Sequence, residues 1–378
     1  MTHLTYLEAA VVGLIQGVSE LFPVSSLGHN VLIPALIGGS WEADLDVASP
    51  ESPYLAFIVG LHVATALALL AYFWRDWVRI IGGFFSSIRD RRVKTVDQRL
   101  AWMIVLATIP VGLVGLVAEH PFRLLFGKPI VAAVFLAVNG LILIAGERYR
   151  SRASVAADAR VAATREVAGR EAELVAAGSV AAGSRAAGSR AAGSRAADGR
   201  AAGRAGLGQA VPGLGGLRQA EPGRPAHART SRARSAAQAR PSTEILTDRR
   251  LSVMGYGKAI VVGSAQILAL LAGISRDGVT MVAGMARGLS REDAVRFAFL
   301  LSTPVILAAG VLKIPDLFGP LGNGIRGQIL LGSVLSGVGA YAAVRFLVRY
   351  LRTRTLTPFG VYCLLAGLAC VVYLGFVK

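Results

Sequence analysis

The sequence predicts an all-α polytopic membrane protein: six transmembrane helices plus two re-entrant helix hairpins in an inverted-topology repeat. Three observations lead there. The chain of 378 residues is 54% hydrophobic, with a mean hydropathy of +0.55, too apolar for the surface of an ordinary soluble domain. Slid along itself, the chain repeats: Tyr6 to Ser40 aligns without a gap on Tyr256 to Ser290. Lys and Arg collect in alternate loops, as they do on the cytoplasmic side of membrane proteins.

In chain order, Met1 to Ala10 carries no Lys or Arg and so lacks the basic start of a cleaved signal peptide. The first repeat then opens with an apolar helix, breaks at Phe22-Pro23-Val24, and resumes as a shorter helix. Its counterpart breaks at Ala272-Gly273-Ile274. Identities across the repeat include Gly13/Gly263, Gln16/Gln266, Ser25/Ser275 and Gly28/Gly278. Neither piece of either hairpin crosses about 30 Å of hydrocarbon comfortably at 1.5 Å per residue. Broken helices at membrane depth are tolerated where protein or a wet cavity satisfies their freed backbone groups, which marks both breaks as candidate sites.

Six further apolar stretches are long enough to span, at roughly 54–74, 101–118, 129–147, 294–312, 327–346 and 358–376. The loop at 40–53 holds Glu42, Asp44, Asp46 and Glu51 without Lys or Arg and reads as external. The loop at 75–99, with Arg75, Arg79, Arg89, Arg91, Arg92, Lys94 and Arg99, reads as cytoplasmic. Arg287, Arg291 and Arg296, and later Arg345, Arg349, Arg352 and Arg354, fall inside by the same parity. Three spans per half is an odd number, so the second half is inverted relative to the first. The domain reading is a first membrane repeat at 1–148 with its hairpin at 4–40, an insert at 149–252, and a second membrane repeat at 253–378 with its hairpin at 256–290.

The insert is a different kind of chain. Ala-Ala-Gly-Ser-Arg pentads recur through 181–195, and Gly, Ser and Pro beyond them cannot bury enough apolar area to offset the entropy of ordering. It reads as a disordered Ala/Gly/Arg-rich cytoplasmic segment whose Arg side chains can touch anionic membrane lipids. Residues 151–250 hold 17 Arg against 8 acidic residues and no Phe, Tyr or Trp. The formal charge of +17 is therefore no nucleic-acid signature, since basic platforms for single strands interleave aromatics. Cys363 and Cys370 lie two helical turns apart in the last span and cannot pair with each other.

Candidate chemistry sits at the two breaks. Gln16 and Glu20 share a helix face, and a carboxylate in the bilayer needs a partner or water. Ser25, Ser26 and His29 occupy the first turns of the following short helix, whose N-terminus offers free N–H groups to an anion. A helix cap alone accounts for either serine, and His29 alone could be a packing residue. In the second repeat Arg276 stands where the first has Ser26, with Ser275, Asp277 and Thr280 around it. Arg presents a fork that matches phosphate oxygens. Together these residues suggest a phosphate pocket reached from the membrane. His62 has no comparable motif around it and reads as packing or local hydrogen bonding.

The elements Gln16-x-x-x-Glu20, Pro23-Val-Ser-Ser-Leu-Gly-His29 and Gly273-Ile-Ser-Arg-Asp-Gly-Val-Thr280 resemble those of the undecaprenyl-diphosphate phosphatase family, also known for bacitracin resistance. The resemblance covers the chain outside the insert. It departs at Leu27, where Thr is common, at Ala272, where Pro is common, and at Asp277, where Ser is common; Gln16 is an allowed variant of Glu. It implies a bacterial plasma-membrane hydrolase that recycles a polyprenyl diphosphate carrier for peptidoglycan synthesis with a divalent cation, Mg²⁺ or Ca²⁺. On that reading Arg276, with Ser25, Ser275 and Thr280, holds the diphosphate, and Glu20 with Gln16 binds the cation. Ser26 is the candidate nucleophile with His29 as its base or as the acid for the leaving oxygen, or else water attacks directly and Ser26 is a phosphate ligand. The runner-up is a transporter or flippase of an anionic polyprenyl lipid, since inverted repeats with midplane breaks also build transporters. The Ser, His and Glu cluster favours the enzyme. A homo-oligomer is compatible with the sequence.

Overall fold

The computed structural model describes residues 4–45, 53–126, 128–153, 156, 164, 243–319 and 324–377. Among them there is helix and no strand. Met1–Arg152 and Pro241–Lys378 form one unit and Ala153–Arg240 another. Almost all of the expected insert lies outside the described residues, as do Asp46 and Glu51 of the acidic loop.

The first hairpin is α1 (Tyr6–Leu21) and α2 (Ser26–Ile37), followed by a short α3 (Ser40–Asp44). A capping box starts α1: the Thr5 hydroxyl accepts from the Glu8 N–H at 3.2 Å, and the Glu8 carboxylate accepts from the Thr5 N–H at 2.8 Å. Then come α4 (Pro53–Tyr72), α5 (Trp74–Asp90), α6 (Val96–Phe126) and α7 (Pro129–Ala153). The second half has α8 (Thr243–Val253), α9 (Tyr256–Ser264), a 3₁₀ stretch at Ala265–Leu270, α10 (Arg276–Ala286), α11 (Arg291–Phe318), α12 (Arg326–Thr353) and α13 (Thr357–Phe376). Every one of the six apolar stretches is helical. Five helices, α6, α7, α11, α12 and α13, are by length and composition able to cross a membrane alone, and two bent pairs raise the number to as many as seven. The protein is thus a multi-pass helical membrane protein.

The hairpin α1 sits deep in the bundle because it packs on α12 through small residues. Gly13 and Gly17 on one helix face Gly332 and Ser336 on the other, both pairs four apart. A Cβ at Gly13 would stand 2.5 Å from the Gly332 carbonyl oxygen and one at Gly17 would enter the Ser336 backbone. Small residues at this spacing let helix backbones approach where lipid offers no hydrophobic drive to associate. On its other sides α12 packs on α4, which in turn packs on α11.

Two segments differ from expectation. The Arg-rich 75–99 stretch, read as a loop, begins with α5, bent 87° from α4. Asp76, Ile80, Gly83 and Ser87 face inward while Trp74, Val78, Ile81, Phe85 and Ile88 lie exposed on another face. That division is the pattern of an amphipathic helix at a membrane surface. The second correction concerns 243–252, assigned to the disordered insert: these residues form α8, with Leu251 fully buried. Asp248 pairs with Arg79 at 2.8 Å and Arg296 at 2.8 Å, and Arg250 with Asp293 at 2.6 Å. Ion pairs to distant helices order this segment, and local composition does not reveal them.

Candidate functional site

Both helix breaks close on one place. In the first, Ser25 adopts φ 67° and its hydroxyl caps α2, accepting from the Gly28 N–H at 3.2 Å. In the second, Ser275 caps α10 by accepting from the Gly278 N–H at 3.2 Å. The identities Ser25/Ser275 and Gly28/Gly278 therefore perform one task twice. The breaks touch: a Cβ at Gly28 would lie 2.9 Å from the Gly273 Cα. Gly273 itself has φ 106°, a left-handed conformation that side chains rarely tolerate, and a Cβ there would lie 2.6 Å from the Leu136 N.

Asn139, fully buried on α7, straps the two breaks together. Its Nδ2 donates to the Pro23 carbonyl at 3.0 Å, and its Oδ1 accepts from the Ser275 N–H at 3.0 Å. Backbone groups freed by a broken helix inside a membrane need such partners, and one amide serves both breaks.

Glu20 stands at the end of α1 with its side chain 5% exposed. Oε2 accepts from Gln16 Nε2 at 2.8 Å and from the Ser26 hydroxyl. Oε1 lies 3.9 Å from Arg276 Nη1, close enough for attraction but too far for a hydrogen bond. Arg276 Nη1 is buried and has no hydrogen-bond acceptor among the described residues. Gln16 is held in turn by Asn30, whose Nδ2 donates to its Oε1 at 2.6 Å. A serine bound to a carboxylate, an arginine with a spare N–H and two capped helix N-termini thus share one buried centre.

Four expected residues, Gln16, Glu20, Ser26 and Arg276, meet here. Ser25 and Ser275 serve as caps, and the Thr280 hydroxyl donates to the Arg276 carbonyl at 2.7 Å, within its own helix. His29 departs from expectation. Its Nδ1 faces the Ser25 carbonyl at 2.8 Å; a carbonyl only accepts, so Nδ1 carries a proton and Nε2 accepts from the Tyr362 hydroxyl at 2.7 Å. Both ring nitrogens of His29 are thus turned to groups other than Ser26, and Glu20 is the group at the hydroxyl. His29 instead stacks on Tyr362 and lines an apolar cavity of ≈ 480 Å³ with Leu14, Val18, Phe22 and Phe359.

Three members escaped sequence reasoning. His62 of α4 directs Nε2 at Gln16 Nε2, 3.2 Å away, and lies 3.5 Å from Glu20 Oε2. Its Nδ1 donates to the Ile58 carbonyl at 2.9 Å, so Nε2 offers its lone pair to the second Gln16 N–H. Asn139 and Asn30 are the others. Each is a polar side chain in a largely apolar helix, and that anomaly was the available signal.

Among the described residues no three His, Cys, Asp or Glu side chains gather closely enough to hold a metal ion. Gln16 turns its carbonyl oxygen to Asn30 and its N–H groups to Glu20 and His62. It orients the carboxylate and is not placed as a cation ligand, contrary to expectation. Glu20 remains as the carboxylate that fits a hard cation arriving on phosphate oxygens, an ion that commonly takes only one or two protein carboxylates.

Fold and centre together define a multi-pass helical membrane protein in which two related helix breaks bring a serine hydroxyl, a carboxylate and an arginine to one buried centre. The chain belongs to the bacitracin resistance protein BacA family, whose model matches residues 9–187 and 231–369. It is 53% identical over 375 residues to undecaprenyl-diphosphatase 1 of Frankia casuarinae, covering 99% of this chain and 100% of that one. It is 50% identical over 372 residues to the undecaprenyl-diphosphatase of Mycolicibacterium paratuberculosis, covering 98% of each. A more distant relative, undecaprenyl-diphosphatase 2 of Burkholderia lata, is 36% identical over 361 residues, 94% of this chain and 92% of that one.

Proposed function

We propose that this protein hydrolyses undecaprenyl diphosphate to undecaprenyl phosphate and inorganic phosphate, recycling a cell-wall carrier lipid and so conferring resistance to bacitracin. The observation that carries the reading is the Ser26 hydroxyl donating to Glu20 beside the unpartnered Arg276 Nη1. Anion binding alone would need the arginine and the helix N-termini, but not a hydroxyl aligned on a carboxylate. That distinction, with the names of the relatives, favours the hydrolase over a transporter.

In the mechanism, Arg276 and the N–H groups opening α2 and α10 hold the diphosphate, and their charge meets the charge developing on the transferred phosphoryl group. Ser26 Oγ attacks the terminal phosphorus and its proton passes to Glu20 Oε2. The bond from that phosphorus to the bridging oxygen breaks, and undecaprenyl phosphate leaves with the electron pair. Glu20 gives that proton up to the leaving phosphate, then takes one from water as the water oxygen attacks the phosphoserine phosphorus; the bond from phosphorus to Ser26 Oγ breaks, Glu20 returns the proton to Oγ, and inorganic phosphate is freed. Gln16, Asn30 and His62 keep the carboxylate aimed. Glu20 would help to hold a divalent cation, Mg²⁺ or Ca²⁺, which would supply neutralisation of phosphate charge. The apolar cavity beside His29 and Tyr362 accepts the first isoprene units.

The same reading makes α1–α2 and α9–α10 two re-entrant hairpins among six spans, with the halves inverted, in the plasma membrane of a bacterium, the insert on the cytoplasmic side. Loop charge supports that orientation. The test is phosphate release from undecaprenyl diphosphate by purified protein in detergent, with and without Mg²⁺ or Ca²⁺, comparing wild type with Glu20→Ala and Arg276→Ala. Cation-dependent release that both substitutions abolish is expected, with phosphoserine at Ser26 trapped by rapid quench. Absence of release from folded wild type that binds the lipid would overturn the enzyme reading, and release without phosphoserine would move the attack to water.

A further inference from the structure

Buried polar atoms in folded proteins are nearly always hydrogen-bonded, so those that are not call for a ligand or another explanation. Four such atoms lie on three side chains of the second repeat: Gln266 Nε2 and Oε1, Arg276 Nη1 and Asp277 Oδ2. Gln266 and Asp277 are each only 1% exposed. Asp277 does have one partner, the Ser302 hydroxyl, but that bond uses Oδ1 and leaves Oδ2 free among the described residues.

The internal repeat supplies a comparison. Gln16 and Gln266 occupy equivalent positions, ten residues before the first residue of the following short helix, Ser26 or Arg276. Gln16 spends its amide on Glu20, His62 and Asn30. Gln266 has no such partner among the described residues, and in place of Glu20 the second repeat carries Leu270. The backbone differs as well: Gln266 lies in the 3₁₀ stretch Ala265–Leu270, a form that inside a longer helix often marks a functional position. This stretch packs against α10, which begins with Arg276 and Asp277. Asp277 is also in electrostatic reach of Glu20 and Arg276, and Arg276 Nη1 lies 3.9 Å from Glu20 Oε1, so two of the three side chains belong to the centre already described.

The chemistry of the four atoms selects the ligand. Arg276 Nη1 and Gln266 Nε2 are donors and suit phosphate oxygens. Asp277 Oδ2 and Gln266 Oε1 are acceptors and would repel a bare anion. A phosphate group by itself answers half of the set, whereas a diphosphate carrying its divalent cation answers all of it.

We propose that Gln266, Arg276 and Asp277 form a second-repeat subsite for the cation-bearing diphosphate. Gln266 Nε2 and Arg276 bind phosphate oxygens there, and Asp277 Oδ2 with Gln266 Oε1 faces the cation. The subsite deepens the phosphatase reading and rests on it.

The experiment uses the full chain in detergent and reads thermal unfolding and equilibrium binding. The probe is a farnesyl methylenediphosphonate, which keeps both phosphorus groups but has no hydrolysable bridge, given with and without Mg²⁺; inorganic phosphate is the second ligand. Gln266→Met removes both orphan amide ends at similar volume. It is expected to unfold at or above the wild-type temperature without ligand, and to bind the Mg²⁺ probe about tenfold or more weakly. Asp277→Asn is expected to lose the gain that Mg²⁺ brings to probe binding while altering the weak binding of inorganic phosphate by no more than about twofold. Gln266→Asn, which keeps the amide but shortens its reach, should also weaken the Mg²⁺ probe. Wild-type probe affinity in both Gln266 variants, or unchanged Mg²⁺ dependence in Asp277→Asn, overturns the subsite while wild-type phosphate release keeps the phosphatase reading standing. A wild type that releases no phosphate overturns the latter by itself.

Discussion

Asn139→Ala tests whether one buried amide holds the two helix breaks in register. The substitution removes the bond to the Pro23 carbonyl at 3.0 Å and the bond from the Ser275 N–H at 3.0 Å. It leaves the buried Ser275 N–H without a partner and the Pro23 carbonyl with only the longer contact from the Cys363 thiol at 3.8 Å. A buried group left without a partner costs about 1–3 kcal/mol, so the loss comes to at least about 1–3 kcal/mol. Because Pro23 leads into Ser25 and Ser26, and Ser275 precedes Arg276, the same change lets nucleophile and arginine drift apart; a displacement of about 1 Å is worth roughly 10²-fold in rate. Thermal unfolding in detergent and the turnover of undecaprenyl diphosphate are the two assays. Loss of several degrees in Tm together with a large fall in kcat is expected. A variant with wild-type Tm and wild-type kcat would refute the strap, because those two hydrogen bonds could then not be what aligns the breaks.

The two imidazoles should behave differently: His62→Leu deprives Gln16 of an acceptor and is expected to lower kcat about tenfold with little change in KM, a loss corresponding to about 1.4 kcal/mol. His62→Gln restores most of it by offering a carbonyl oxygen, and His29→Leu acts mainly on KM through the apolar cavity; equal kcat losses in His62→Leu and His62→Gln would refute the positioning role. Gly17→Leu forces a side chain into the α1–α12 contact, where even a Cβ would lie 2.8 Å from the Ser336 Cα, and should destabilise by about 1–3 kcal/mol or more. Gly82→Ala on α5, where a Cβ meets nothing within 4 Å, is the matched control and should unfold no earlier than wild type.

The sequence by itself determined the class of the protein, the two related halves and the core of the site. Hydropathy is a property of each segment taken alone, so the apolar stretches were legible as helices before any packing was known. The repeat located both breaks, and Glu20, Ser26 and Arg276, singled out there by residue type, lie together in the structure. The α5 helix was less legible, since its many Arg residues outweighed a period that separates Asp76, Ile80 and Ser87 from Trp74, Val78 and Phe85.

Only the tertiary structure decided which groups touch. His29 lies three residues from Ser26, yet turns its free nitrogen to Tyr362, 333 positions away. His62 is 46 positions from Gln16 and Asn139 is 116 from Pro23, and both reach the centre through helices whose own pattern is apolar. The helix α8 was assigned to the disordered insert because Asp248 finds Arg79 across 169 positions and Arg296 across 48. The physical reason is common to all of these. Helix formation and membrane affinity follow from neighbours within a turn or two, whereas hydrogen bonds and ion pairs inside the bundle depend on how helices far apart in sequence are packed.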